Sequence, residues 1–282
     1  MIRELSREQA AGPLCELLGV ARSGYYGWLR GRQSARAATN RLLLEQIRQV
    51  FQAHRGNYGS PRVTEELRGQ GQPCNHKRVE RLMRQEGLKG RTGRGRKVRT
   101  TRSDHDQPVA PNLLLGRPAP RRVDEVWVAD ITYVPTAQGW LFLAAVMDLY
   151  SRQILGWSLW ENLEAGGALQ ALARALVKRG HPRGVIHHSD RGIQYASALY
   201  RGQLQRCGLL ASMSRKANCY DNAAMEAFWS TLKREALEQS AHWPKDRVRR
   251  EIFEYIEANY NRKRLHSSLG YRSPVDFENQ NN

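Results

Sequence analysis

The sequence predicts an α/β domain built on a mixed sheet, preceded by small all-helical modules. Three observations carry this expectation. Over the first 90 residues, apolar side chains recur at helical spacing between glycine and proline turns, the pattern of amphipathic helices. Residues 126–160 hold three runs rich in β-branched and aromatic side chains, which favour strands. Beyond them helical and extended patterns alternate, as they do where helices cover a sheet. The 282 residues correspond to about two domains at roughly 150 residues each. With 40% hydrophobic and 26% charged residues, the chain has enough apolar side chain to build a core.

The first module is expected over residues 1–35. Ser6-Arg7-Glu8-Gln9 has a capping-box pattern ahead of Leu14, Cys15, Leu17 and Leu18, and so predicts a helix start. Gly19 ends that helix, and Ser23 is placed to cap a short second one through Tyr25, Tyr26 and Trp28. Helix, glycine turn, helix is the pattern of a helix-turn-helix. A second such module is expected over residues 36–90. Leu42, Leu43, Ile47, Val50 and Phe51 have helical spacing. Ser60-Pro61 provides an N-cap with proline at the first helical position, opening a helix that holds Val63 and Leu67. After Gly69-Gln70-Gly71, Asn75 can cap a third helix that ends at Gly87. On it Val79, Leu82 and Met83 share one face, and Lys77, Arg81 and Arg84 share the opposite one. A helix with an apolar face and a cationic face suits docking into a nucleic-acid groove, so these cations and the adjacent Arg78 are candidate DNA contacts.

From Lys89 to Arg102 the chain carries seven cations and no acid. This run cannot bury a core and reads as a basic linker over residues 91–122, punctuated by Pro108, Pro111, Pro118 and Pro120. Lys89, Arg91, Arg94, Arg96, Lys97 and Arg99 are further candidate phosphate contacts. Residues 1–122 hold 25 Lys and Arg against 10 Asp and Glu, and residues 123–282 hold 20 against 17. The net charge of +18 therefore sits mainly in the first half, as expected of a part that grips a polyanion. The longest apolar run, Trp140 to Met147, is far short of the roughly 18 residues of a membrane span. The N-terminus lacks an apolar signal core, which predicts a cytoplasmic protein. Cys15, Cys74, Cys207 and Cys219 are scattered, so neither a zinc site nor a disulfide framework is expected.

The sheet domain is expected over residues 123–240. Strands are predicted at Val126–Val134, Trp140–Met147, Arg152–Trp160 and Gly184–His188, with helices at Ala168–Val177, 195–207, 222–238 and 246–260. Residues 241–282 then form a C-terminal helix and a basic tail. Asp130 lies in the middle of the first apolar strand, where an unpaired charge costs several kcal/mol. Asp190 follows the strand ending at His188, at the strand edge where α/β proteins place their sites. Glu226 lies on a helix whose neighbours are almost all apolar. Three acids in costly surroundings have a common explanation in a shared divalent cation. Their oxygens are hard donors that suit Mg²⁺ or Mn²⁺, and two such ions serve phosphoryl transfer.

The segments W-V-A-D-I-T-Y, H-H-S-D-R-G-I-Q-Y and C-Y-D-N-A-A-M-E-A-F-W-S-T-L-K closely resemble the catalytic motifs of DDE transposases with a retroviral-integrase-like core. The 35 residues between Asp190 and Glu226 match the interval typical of that group. The tail from Tyr260 to Pro274, Y-N-R-K-R-L-H-S-S-L-G-Y-R-S-P, resembles the closing motif of the second-reading-frame (OrfB-type) transposases of bacterial insertion sequences. The stretches Gly56–Val63 and Lys77–Met83 resemble that family's helix-turn-helix. Two positions depart from the pattern: Ala217, where many relatives have Gly, and Ala227, where Ser is frequent.

The resemblance implies an RNase H-like integrase core with a mixed five-stranded sheet, and Asp130, Asp190 and Glu226 as catalytic, metal-binding acids for Mg²⁺, in a two-ion site that Mn²⁺ can also fill. It implies cleavage at insertion-sequence ends followed by strand transfer on double-stranded DNA, by a dimer or larger assembly. It also implies an upstream-frame protein as partner or fusion. Asn222, His188 and Gln194 are candidate supports of the site, with Tyr195 beside the strand path. Lys233, Arg262 and Arg264 are candidate DNA contacts, with His266 nearby, and Trp229 reads as core. Two other readings of the residues stay open, a catalytically inactive DNA-binding regulator and an RNase H-like nuclease without strand transfer.

Overall fold

The computed structural model describes residues 2–6, 9–31, 34–91, 107–162, 165–215 and 222–281. The chain forms two compact units, Met1–Gly90 and Arg91–Asn282.

The first unit is helical: α1 (Ile2–Leu5), α2 (Ala11–Leu17), α3 (Arg22–Leu29), α4 (Ala35–Ala53), α5 (Ser60–Gly69) and α6 (His76–Gln85). Ser6 does not open a helix. Its hydroxyl bonds back to the carbonyl of Arg3 at the end of α1, and α2 starts after Ala10 without a side-chain cap. Of the expected capping box, Arg7 and Glu8 lie outside the described residues, and the Gln9 amide bonds the Leu5 carbonyl. Ser23 likewise falls inside the first turn of α3, whose N-cap is Ala21. Gly19, as expected, ends α2: its φ of +62° is a left-handed conformation that glycine adopts without strain.

Caps on the later helices follow side-chain chemistry more closely. Ser34 accepts from the Ala37 amide at 3.1 Å and opens α4. Asn75 accepts from the Lys77 amide at 2.9 Å and opens α6. In α5 the cap is Gly59, one residue before the expected Ser60. Leu43, Ile47, Val50, Val63, Leu67, Val79, Leu82 and Met83 are buried. Leu42, grouped with them by spacing, is 69% exposed.

The second unit has a five-stranded sheet in the order β3-β2-β1-β4-β5. Its strands are β1 (Val126–Thr136), β2 (Gly139–Asp148), β3 (Ile154–Trp160), β4 (Ile186–Ser189) and β5 (Leu210–Met213). The first three meander antiparallel, and β4 and β5 add in parallel to β1. Around the sheet run α7 (Ala165–Lys178), α8 (Ile193–Ala196), α9 (Ala198–Arg206), α10 (Ala223–Glu235), α11 (Lys245–Phe253) and α12 (Pro274–Asn281). Val126, Val128 and Val134 pack with Met225, Phe228, Trp229 and Ile252 on one face. Trp127 and Ala129 pack with Ala168, Leu172 and Tyr195 on the other. This alternation along β1 is the period-2 pleat of a strand buried on both faces.

Several boundaries differ from the sequence expectation. Arg152 has φ of +63° and lies in the turn, so β3 starts at Ile154. Residues 195–207 do not make one helix, because Ser197 breaks the chain and caps α9 through the Tyr200 amide. Residues 246–260 begin as α11 and widen into a π-helical segment, Glu254–Tyr260. Strand β5 has no counterpart among the strands read from periodicity. It is four residues long, too short to show a period. Among the described residues no helix is long and apolar enough to cross a membrane.

Candidate active site

The strand register places two of the acids side by side. β1 and β4 pair in parallel up to Ala129 and Ser189, so Asp130 and Asp190 are the next residues on adjacent chains. Neighbouring strands lie roughly 4.8 Å apart, which leaves two carboxylates crowded at one end of the sheet. Asp130 is anchored at both oxygens. Its Oδ1 accepts from the Ile131 amide at 2.8 Å, and its Oδ2 accepts from the Trp229 indole N–H at 2.9 Å. Burial first, and then the charges of Asp190 and Glu226, push the Asp130 carboxyl up to about 8, although both hydrogen bonds oppose the shift. All three acids therefore act on one small region.

Asp190 Oδ1 accepts from the Gly192 amide at 2.9 Å. A Cβ on Gly192 would stand 2.9 Å from that oxygen and 3.1 Å from Gln194 Oε1, so this turn admits glycine alone without a shift. It also brings Gln194 beside Asp190. Glu226 lies in the first turn of α10 and is exposed. The apolar surroundings inferred from its neighbours in sequence are therefore not its own, since the helix turns Met225, Phe228 and Trp229 inward and leaves Glu226 facing out.

Other groups gather here. Burial lowers the pKa of Lys233, and the charge of Asp130 acts against that, which places its ammonium near the same carboxylate. Tyr133 and Tyr195 are raised by burial, with the Asp190 charge adding to both. Asn222 is buried just before α10. His188 is buried within the sheet, with its Nδ1 2.8 Å from the Ser212 hydroxyl on β5.

Arg264 corrects the expectation of a DNA contact. It is 4% exposed and forms a two-pronged ion pair with Glu235, at 2.9 Å from Nε and 2.7 Å from the terminal nitrogen. Tyr255 donates to the same carboxylate. His266 is buried edge-on against Tyr260, with 4.8 Å between ring centres, whereas Arg262 is exposed. In the first unit Lys77 and Arg84 are exposed and Arg81 is half-buried. Arg78 instead reaches back to α4, donating to Asn40 Oδ1 at 2.8 Å and Thr39 Oγ1 at 3.1 Å. Lys89 is exposed. Arg91 bonds the Arg234 carbonyl and stands 3.3 Å from Glu238. Arg94, Arg96, Lys97 and Arg99 lie outside the described residues, as do Ala217 and Cys219.

Sequence reasoning missed Gly192 and the role of Trp229, which it assigned to the core. One signal was available: a buried indole N–H needs an acceptor, and Trp229 follows Glu226 by three residues, about one turn.

Among the described residues no three His, Cys, Asp or Glu side chains are gathered closely enough to hold an ion as they stand. The donor chemistry nonetheless fits a hard divalent cation, because the acids offer only oxygen and repel one another without a multivalent positive charge.

Comparison with known proteins settles the family. An HTH-like domain family matches residues 38–97, and integrase core domain families match residues 120–219 and 208–274. The chain is 42% identical over 270 residues to transposase InsF of insertion sequence IS3A from Escherichia coli (strain K12), covering 95% of this chain and 93% of that protein. The chain belongs to the IS3-family transposases. It is also 43% identical to an uncharacterized 31 kDa protein of insertion element IS600 from Shigella sonnei, covering 94% of this chain and 97% of the other. Among solved structures it is similar to a simian T-cell lymphotropic virus intasome in complex with PP2A regulatory subunit B56 gamma, at 13% identity and a TM-score of 0.48, covering 83% of this chain and 74% of that one. It is also similar to the HTLV-2 integrase catalytic core domain in complex with magnesium, in its trimeric form, at 12% identity and a TM-score of 0.43, covering 56% and 97%. In this IS3-family transposase, the HTH-like match spans most of α4 to α6, and the hairpin of α2 and α3 precedes it. The two integrase-core matches contain Asp130, Asp190 and Glu226.

Proposed function

We propose that this transposase binds the ends of its insertion sequence and cuts and rejoins DNA strands with Asp130, Asp190 and Glu226 holding Mg²⁺, in a two-ion site that Mn²⁺ can also fill. The observation that carries this reading is the register that sets Asp130 beside Asp190 at the end of β4, with the charges of Asp190 and Glu226 both acting on the Asp130 carboxyl. A divalent cation there would polarise the scissile phosphate and lower the pKa of a bound water.

The protein's own groups supply the rest. The hydrogen bonds from Ile131, Trp229 and Gly192 orient the carboxylates before substrate arrives, so little reorganisation is needed in the transition state. Lys233 offers a cation to the DNA phosphate beside Asp130. In the first step water attacks a phosphodiester at the element end, leaving a 3′-hydroxyl and a 5′-phosphate. In the second that hydroxyl attacks another phosphodiester and displaces its bridging oxygen. Lys77, Arg81, Arg84, Lys89 and the basic run behind them hold the double-stranded end. Two ends must meet, so a dimer or larger assembly acts, with the upstream-frame protein as partner or fusion.

The test is cleavage of labelled DNA carrying candidate element ends, with Mg²⁺ or Mn²⁺. Asp130→Asn, Asp190→Asn and Glu226→Gln should each abolish cutting and joining while end binding persists. A variant that still cuts would remove that acid from the site.

A further inference from the structure

We propose that Trp229 is a positioning residue of the reaction, whose indole N–H fixes Asp130 and ties β1 to the helix that carries Glu226. The inference rests on the reading above that Asp130 and Glu226 work together. Trp229 is 6% exposed, and its ring packs on Phe228 with 4.7 Å between centres. A core role alone would be met by any large apolar ring. The indole N–H, however, donates to Asp130 Oδ2 at 2.9 Å, while the Ile131 amide holds the other oxygen at 2.8 Å. Each oxygen of Asp130 thus has one N–H donor, which sets the plane of the carboxylate. The Ile131 donor is local to β1, so it cannot relate Asp130 to any other element. The Trp229 donor can, because it sits on α10 about one turn beyond Glu226. This hydrogen bond thereby relates two acids that lie 96 positions apart in the chain (130 and 226).

Groups that orient metal-ligating side chains are costly to lose, typically by 10–100-fold in metal affinity or activity. In the full chain, Trp229→Phe keeps a large ring and removes the donor. Expected are a drop of about 10–100-fold in kcat for cutting a labelled end, unchanged KM for DNA, and weaker Mn²⁺ binding read by electron paramagnetic resonance without turnover. Replacing Trp229 by benzothienylalanine, in which sulfur stands for the N–H in a ring of the same shape, guards against a packing artefact and should reproduce the loss. Trp229→His, which restores a ring N–H, should recover part of it. Wild-type kcat and Mn²⁺ binding in the benzothienylalanine protein would overturn the proposal. Asp130→Asn serves as the reference. If it still cuts, the carboxylate reading itself fails. If it is dead while both donor-free proteins behave as wild type, only the role of Trp229 fails.

Discussion

Arg264 grips both oxygens of Glu235 in an ion pair that is almost wholly buried. It joins the tail after the π-helical segment to the last turn of α10, the helix that also carries Glu226, Trp229 and Lys233. Tyr255 shares the same carboxylate, and the pKa of Arg264 is raised by Glu235 despite its burial. Removing one partner of a buried pair strands the other charge and typically costs about 3–5 kcal/mol. Arg264→Ala should therefore lower the unfolding free energy by about that amount, as read by chemical denaturation. An unchanged midpoint with weaker DNA binding would return Arg264 to the DNA surface.

Asp130 works against the stability of the fold that holds it. Its carboxyl is raised to about 8 by burial and by its acidic neighbours. The protonated form is thus the favoured one in the folded state, and stability is lost as pH rises from the ordinary carboxylate value near 4 to about 8, above which it levels off. Without divalent cation the wild type should lose about 1–3 kcal/mol between pH 5 and 8, whereas Asp130→Asn should lack this part of the pH dependence while abolishing cleavage. Thermal melts with and without Mg²⁺ check this, and Mg²⁺ should stabilise the wild type more than the variant.

Gly192 tests the turn that orients Asp190. In Gly192→Ala the new methyl would press on Asp190 Oδ1 and Gln194 Oε1. Cleavage should fall by roughly 10-fold or more, as expected when a reacting group is misplaced by a fraction of an ångström. Gel-shift affinity for end DNA should stay near wild type.

The cations of α6 should separate into two kinds. Lys77→Ala and Arg84→Ala should weaken DNA binding and reduce the salt slope by about one each. Arg78→Ala should instead loosen α6 from α4 by about 1–2 kcal/mol, since its bonds go to Asn40 and Thr39. Melting curves and salt titrations on the three variants distinguish the two roles.

His187 should dominate part of the acid response. It is buried against Tyr200, and burial lowers its pKa to about 4. The unfolded chain takes up this proton near pH 6.5, whereas the folded one resists it until about 4. Stability is therefore lost as pH falls across that window, by up to about 3 kcal/mol. His187→Phe should flatten this part of the stability profile, followed by denaturation at pH 7, 5.5 and 4.5.

The sequence by itself determined the order of the parts: helical modules with a basic run, then a β-meander, then alternating helices and strands. It also singled out the three acids as candidates, because charge inside an apolar strand and at a strand edge is visible without coordinates, although the apolar neighbours of Glu226 turn inward and leave it exposed. Local chemistry was legible wherever neighbours decide it, as at Asn75, which caps α6. Contacts between residues distant in the chain were decided only by the tertiary structure. Spacing gives Arg78 and Arg264 the look of surface cations, yet one braces α6 against α4 and the other neutralises Glu235. Spacing also makes Trp229 plain core, although its N–H ends on Asp130, 99 residues earlier. A side chain's nearest sequence neighbours fix its backbone, but its partner is whatever the packed elements bring to its tip. That is why the acids stood out as candidates in the chain and the groups that hydrogen-bond them did not.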